Sequence, residues 1–220
     1  MGSGRAVVCE DAAWVRVRER LGAVRILPLV SFDDAVQAVA TARALMRGGV
    51  DCIEVTFRTP AAVEAIRALS GIEGLFVAAG TVLSVDQLEQ ARLAGAQLAL
   101  APGSNFEVIR AARERGLPFV AGAGTASEVE QLRHFGVHVV KVFPFRTVGG
   151  VEFLRSLAAV YPEMRFVPTG GIDQSNLSEA ASAPGVLAVG GSWIAGPQLI
   201  RAGRFEQIEH NARAARMLLR

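Results

Sequence analysis

From about Ala23 onward, short apolar or β-branched runs alternate with Ala-rich amphipathic stretches. The apolar runs begin near Val24, Asp51, Leu75, Gln97, Pro118, His138, Arg165 and Val186. Successive starts lie 20 to 27 residues apart, which leaves room for one strand, one helix and two turns per unit. Helices are predicted over residues 31–47, 60–70, 84–94, 105–115, 125–135, 150–161 and 173–183, after a lead helix near residues 11–22.

Boundary residues agree with this division. Ser31, Ser84, Asn105, Thr125 and Asp173 stand where helix N-caps belong, and Gly48-Gly49, Gly95, Gly116 and Gly136 stand where helices stop. The strands are almost continuously apolar, as parallel strands covered on both faces must be. Eight such units predict an α/β fold, a (β/α)8 TIM barrel. The alternative is a doubly wound open sheet, but no G-x-G-x-x-G follows the first strand, Arg25 to Val30. With no linker or low-complexity block, residues 1–220 are expected to form one domain, with the barrel core over about 23–205.

Composition narrows the class. The chain is 51% hydrophobic and 20% charged, in the range of soluble globular proteins. No apolar run approaches the roughly 20 residues of a membrane span, and the start, Met1 to Asp11, has no signal-peptide apolar core. Cys9 and Cys52 form neither a disulfide framework nor a zinc spacing, so a reducing cytoplasm is the expected location. A net charge of +2 and 6% aromatics argue against nucleic acid. Arg201, Arg204, Arg213, Arg216 and Arg220 are expected on the solvated face of a terminal helix.

The 23 basic residues comprise 22 arginines and a single lysine, Lys141. It lies in the apolar strand His138 to Phe143. A surface lysine is replaceable by arginine, but a lysine that must give up its proton is not, because guanidinium stays charged. Removal from water disfavours an ammonium, and the free amine is a nucleophile. The purely structural alternatives are pairing with a core carboxylate or a side chain snorkelling to the barrel mouth.

Barrel chemistry collects at the C-terminal strand ends. There, alternation places Glu54, Thr56 and Arg58 on one face of the second strand. Glu54 is suited to proton transfer. Arg58 either pairs with Glu54 or binds a carboxylate. Thr81 follows the small residues Ala78-Ala79-Gly80, and Phe143 shares the face of Lys141. Thr169-Gly170-Gly171 and Gly190-Gly191-Ser192 occupy the two loops where barrels commonly hold phosphate, with a helix N-terminus expected to assist. His134, His138 and His210 have no metal spacing. A mechanism without metal or cofactor fits these residues; a phosphate-binding isomerase and a pyridoxal-phosphate barrel are the alternatives.

In this order the motifs resemble the KDPG/KHG aldolases, enzymes of 2-keto-3-deoxy-6-phosphogluconate and 4-hydroxy-2-oxoglutarate. They are Gly48-Gly49-Val50, Ile53 to Thr59, Ala79 to Leu83, Pro102-Gly103, Lys141 to Pro144, Pro168 to Ile172 and Gly190 to Trp193. The resemblance implies a class I aldolase with Lys141 as the imine-forming residue and Glu54 as its acid/base. It implies that Arg58 and Thr81 hold the pyruvyl carboxylate beside Pro102 and Phe143. Thr169, Gly170, Gly171, Gly190, Gly191 and Ser192 would hold the phosphate of a small phosphorylated keto acid, with Thr169 favouring the gluconate over the galactonate isomer. It also implies a homotrimer. Two departures stand out: Ala78 replaces a common glycine, and Phe145-Arg146 replaces small or acidic residues, which would set a bulky ring and a cation beside the pocket.

Overall fold

A computed structural model describes residues 12–219. The lead helix α1 (Ala12–Val24) precedes β1 (Ile26–Val30), α2 (Val36–Arg47), β2 (Cys52–Thr56), α3 (Ala62–Ser70), β3 (Phe76–Gly80) and α4 (Val85–Leu93). Next come β4 (Leu98–Leu100), α5 (Phe106–Glu114), β5 (Phe119–Ala123), α6 (Ala126–His134), β6 (Val139–Val142) and α7 (Gly150–Val160). The chain continues through β7 (Arg165–Pro168), α8 (Leu177–Ser182), β8 (Val189–Gly191), α9 (Pro197–Arg201) and α10 (Phe205–Leu218).

All strand pairs are parallel, and the eight run in the order β7-β6-β5-β4-β3-β2-β1-β8. Parallel bridges from Phe166 to Val186 and from Thr169 to Gly190 join the two ends. The sheet is therefore a closed (β/α)8 barrel, not an open doubly wound sheet. No helix of the described residues is long and apolar enough to cross a membrane.

Register decides which side chains enter the barrel, because parallel partners at one level share a face. Leu29 is level with Glu54, Glu54 with Ala78, and Ala78 with Leu98. Gly122 is level with Lys141, Lys141 with Val167, and Leu27 with Gly190. These residues form the inner wall. The alternate set, including Val55, Val77, Val140 and Phe166, is buried outward against the helices.

The predicted caps Ser84, Asn105 and Thr125 hold: each side-chain oxygen accepts from a backbone N–H of the first helical turn. Two do not. Ser31 is engaged with Thr56 instead, and α2 starts at Val36, whose N–H donates to Asp34 Oδ1. Asp173 forms a turn with Ser175, and α8 waits until Leu177. The predicted terminal helix is two helices, separated at Gly203, which has a φ of +64°. Arg201 pairs with Asp33 and Arg213 with Glu209, while Arg216 donates to the carbonyls of Ala23 and Val24. Part of this basic set thus ties helices together. Arg220, Cys9 and the rest of the first eleven residues lie outside the described residues.

Candidate active site

Lys141 and Glu54 enter the barrel from opposite walls, because β6 and β2 stand four strands apart. Lys141 Nζ lies 2.9 Å from Glu54 Oε1, with the two side chains 4% and 0% exposed. Glu54 does not pair with Arg58: the carboxylate stays inside, whereas Arg58 sits exposed in the turn after β2. Burying two opposite charges costs several kcal/mol per ion unless every polar atom is satisfied. Here one is not: Glu54 Oε2 is buried with no hydrogen-bond partner among the described residues, as is Asp51 Oδ1 of the Arg20–Asp51 pair. A bare oxygen is thus not peculiar to this pair, but beside a buried amine it is an acceptor open to a second proton.

The carboxyl is held in place by shape. It lies so close over Gly80 that an added Cβ would fall 2.2 Å from Oε1. Immediately after, Thr81 adopts a φ of +59°. For a β-branched residue this conformation is strained, costing about 1–3 kcal/mol, and it is fixed by flanking bonds from Phe57 N–H to the Gly80 carbonyl and Val82 N–H to the Leu100 carbonyl. Thr81, half-buried, and Arg58, which makes no ion pair among the described residues, stand at neighbouring strand ends.

Pro102 approaches β5 closely: a Cβ on Gly122 would lie 2.1 Å from the Pro102 carbonyl. Phe143 follows β6, joined to Pro144 by a cis peptide bond, and its ring meets the position of a Gly170 Cβ at 3.4 Å. The loops after β6 and β7 are bonded together, Phe145 N–H to the Thr169 carbonyl and Arg146 N–H to the Gly170 carbonyl. Phe145 is 4% exposed and belongs to the core, so it does not crowd the mouth. Arg146 is exposed, and its aliphatic stem lies across Gly171.

Thr169 is buried, and Gly190 must be glycine because a Cβ there would fall 2.3 Å from Thr169 Oγ1. Gly170 and Gly171 are both left-handed, with φ of +101° and +77°. Gly191 lies beneath the Trp193 ring, and Ser192 is exposed. The expected helix N-termini are displaced: α8 and α9 start at Leu177 and Pro197, several residues beyond the glycines. Asp173 and Asn176 organise the intervening loop, Asn176 donating to the Gly171 carbonyl and Asp173 N–H to Asn176 Oδ1. The donors these loops offer an anion are backbone N–H groups and the Ser192 hydroxyl.

Glu128, Ser31 and Thr56 also bear on the site. Glu128 accepts from Gly124 N–H at 2.8 Å and from Thr125 Oγ1 at 2.9 Å. The Gly124 bond, aided by Thr125, holds its carboxyl below the ordinary glutamate range despite opposing desolvation. The spacing Thr125-x-x-Glu128 is a capping box visible in the sequence. Ser31 and Thr56 bring their hydroxyls to 2.6 Å; alternation along β2 foretells Thr56, but only the register of β1 on β2 brings in Ser31. Cys52 is buried, and burial pushes its thiol far up, which makes it unreactive. A cavity of about 530 Å³ lies at the opposite end of the barrel, where Trp14 of α1 faces Pro118 and His138.

The family model for KDPG and KHG aldolase matches residues 17–211. The 2-dehydro-3-deoxy-phosphogluconate aldolase of Treponema pallidum (strain Nichols) is 44% identical over 195 residues, 88% of this chain and 93% of that protein. The solved structure of the KDPG aldolase from Legionella pneumophila, with pyruvate captured at low pH as a covalent carbinolamine intermediate, superposes with a TM-score of 0.85 and 32% identity. It covers 88% of this chain and 97% of its own. The 2-keto-3-deoxy-6-phosphogluconate aldolase of Zymomonas mobilis ZM4, solved with 3-phosphoglycerate, gives a TM-score of 0.81 and 33% identity over 90% of this chain and 95% of that chain.

Proposed function

Because the chain belongs to the KDPG and KHG aldolase family, we propose that it cleaves 2-keto-3-deoxy-6-phosphogluconate to pyruvate and glyceraldehyde 3-phosphate through an imine on Lys141. The observation that carries this reading is the buried Lys141–Glu54 contact at 2.9 Å, with the second carboxylate oxygen unpartnered.

The contact supplies the first step. A proton passing from Nζ to Oε1 leaves a free amine beside a carboxylic acid, and the amine attacks the substrate ketone. Glu54 then returns the proton to the carbinolamine hydroxyl, and water departs to give a cationic imine. That cation draws the electron pair of the C3–C4 bond, so an enamine forms in place of a bare carbanion. The Glu54 carboxylate takes the C4 hydroxyl proton as the aldehyde leaves, and afterwards protonates the enamine carbon. Water finally hydrolyses the imine, freeing pyruvate and Lys141.

In this scheme Arg58 and Thr81 hold the pyruvyl carboxylate, with Pro102 and Phe143 against its methylene side. Thr169, Gly170, Gly171, Gly190, Gly191 and Ser192 anchor the phosphate, so remote binding orients the reacting carbons. Support comes from the left-handed glycines at one side of the mouth and, at the other, Arg58, which has no ion-pair partner among the described residues. The matching threonine in the family favours the gluconate isomer, so Thr169 points the same way. A second reading, cleavage of unphosphorylated 4-hydroxy-2-oxoglutarate, is favoured by the family's breadth. Specificity constants for the two substrates separate the readings, the phosphorylated one being expected to lead. The proposal also includes a single domain, a cytoplasmic location and a homotrimer, the last resting on the habit of the family.

A further inference from the structure

The steps above leave one polar pair of the inner wall without a task. Ser31 follows β1 and Thr56 closes β2, with hydroxyl oxygens 2.6 Å apart. Pairing of Leu29 with Glu54 and Val30 with Val55 brings Ser31 level with Thr56. Both therefore face inward, one step nearer the mouth than Glu54.

Their polarity is settled by a third atom. Thr56 Oγ1 lies 3.2 Å from the Val30 carbonyl oxygen. A carbonyl only accepts and a hydroxyl has one proton, so Thr56 donates to Val30 and Ser31 donates to Thr56. The Ser31 oxygen is left with lone pairs and no proton to offer. It attracts an alcohol and repels a phosphate or carboxylate. It is also held firmly, because Thr59 Oγ1 donates to the carbonyl of the adjoining, buried Phe32 at 2.5 Å.

Position then names the alcohol. Around the barrel, β1 stands between β8, which carries Gly190 and Gly191, and β2, which carries Glu54. From β2 the shorter way round to the ends of β7 and β8 is across β1, so a substrate with its C4 hydroxyl at Glu54 and its phosphate there lies along Ser31 at the carbon between them. We infer that Ser31, oriented by Thr56, accepts a hydrogen bond from the hydroxyl on that carbon and so selects 2-hydroxyaldehydes as the aldehyde half. This rests on the aldolase reading above.

The test is aldol addition of pyruvate to glyceraldehyde 3-phosphate and to 3-oxopropyl phosphate, which lacks only the 2-hydroxyl. The native protein is expected to prefer the hydroxylated aldehyde by roughly tenfold or more in kcat/KM. Ser31→Ala lowers that preference about fivefold, the effect of one hydrogen bond, and Thr56→Val lowers it in the same direction. No preference in the native protein overturns the inference. So does an unchanged preference in Ser31→Ala, while borohydride trapping of pyruvate on Lys141 leaves the aldolase reading standing. An effect in Ser31→Ala with none in Thr56→Val removes Thr56 from it. Failure of trapping in the native protein sinks the aldolase reading itself.

Discussion

Among the described residues the one hydrogen bond of Lys141 Nζ is to a single carboxylate oxygen, Glu54 Oε1, at 2.9 Å. Arginine can keep that pairing but cannot supply a free amine. Lys141→Arg is therefore expected to fold and to lose about a thousandfold or more in kcat, measured alongside thermal unfolding. A more discriminating variant is Gly80→Ala, which adds no polar group and removes none. Its Cβ would fall 2.2 Å from Glu54 Oε1, so the carboxylate must move. Displacements of this size cost about a hundredfold in rate. The expected result is a large fall in kcat, with pyruvate still trapped on Lys141 but more slowly; unchanged kcat would show that the position of Glu54 is unimportant. Lys141 stood out as a candidate in the sequence because it is the lone lysine in an apolar strand. The constraint at Gly80 did not, because it depends on where a side chain from another strand comes to rest.

At the scale of elements, the boundaries best read from sequence were those with local chemistry. Ser84, Asn105 and Thr125 cap α4, α5 and α6 with their own side chains. Ser31 and Asp173 have the same residue chemistry but spend it elsewhere, on Thr56 and on Ser175. Nothing local announces that choice; it is made by strand register and by a turn. Glu128 offers a test of a cap beside the site. Its lowered pKa means that its contribution is complete above the ordinary glutamate range and is lost as pH falls through the lower folded value. Glu128→Gln is thus expected to be less stable than the native protein by about 1 kcal/mol at pH 7. The two should converge only in acid, once pH has fallen below that lowered value. Urea denaturation at pH 7 and through the acid range checks this, and a difference independent of pH would contradict it.

For the whole molecule, periodicity and spacing anticipated eight strands, with starts displaced by at most three residues, as at Val189 against the expected Val186. Closure was an inference from the count of units and from the missing dinucleotide fingerprint after the first strand. What the spacing could not give is the register that carries β1 back onto β8 and aligns Gly122 with Lys141 and Leu29 with Glu54. That register turns a list of residues into a site. It sets the amine and the acid against each other at the centre, with cationic and strained residues on one side of the mouth and glycine loops on the other. The claim on which everything depends is covalent: the amine of Lys141 bonds to the carbonyl carbon of a keto acid. Because the chain has one lysine, reduction with borohydride in the presence of pyruvate followed by peptide mass mapping reads it directly. The expected result is a single reduced three-carbon adduct on the peptide carrying Lys141, formed in step with loss of activity. No adduct, or an adduct only at the N-terminal amine, would contradict the account.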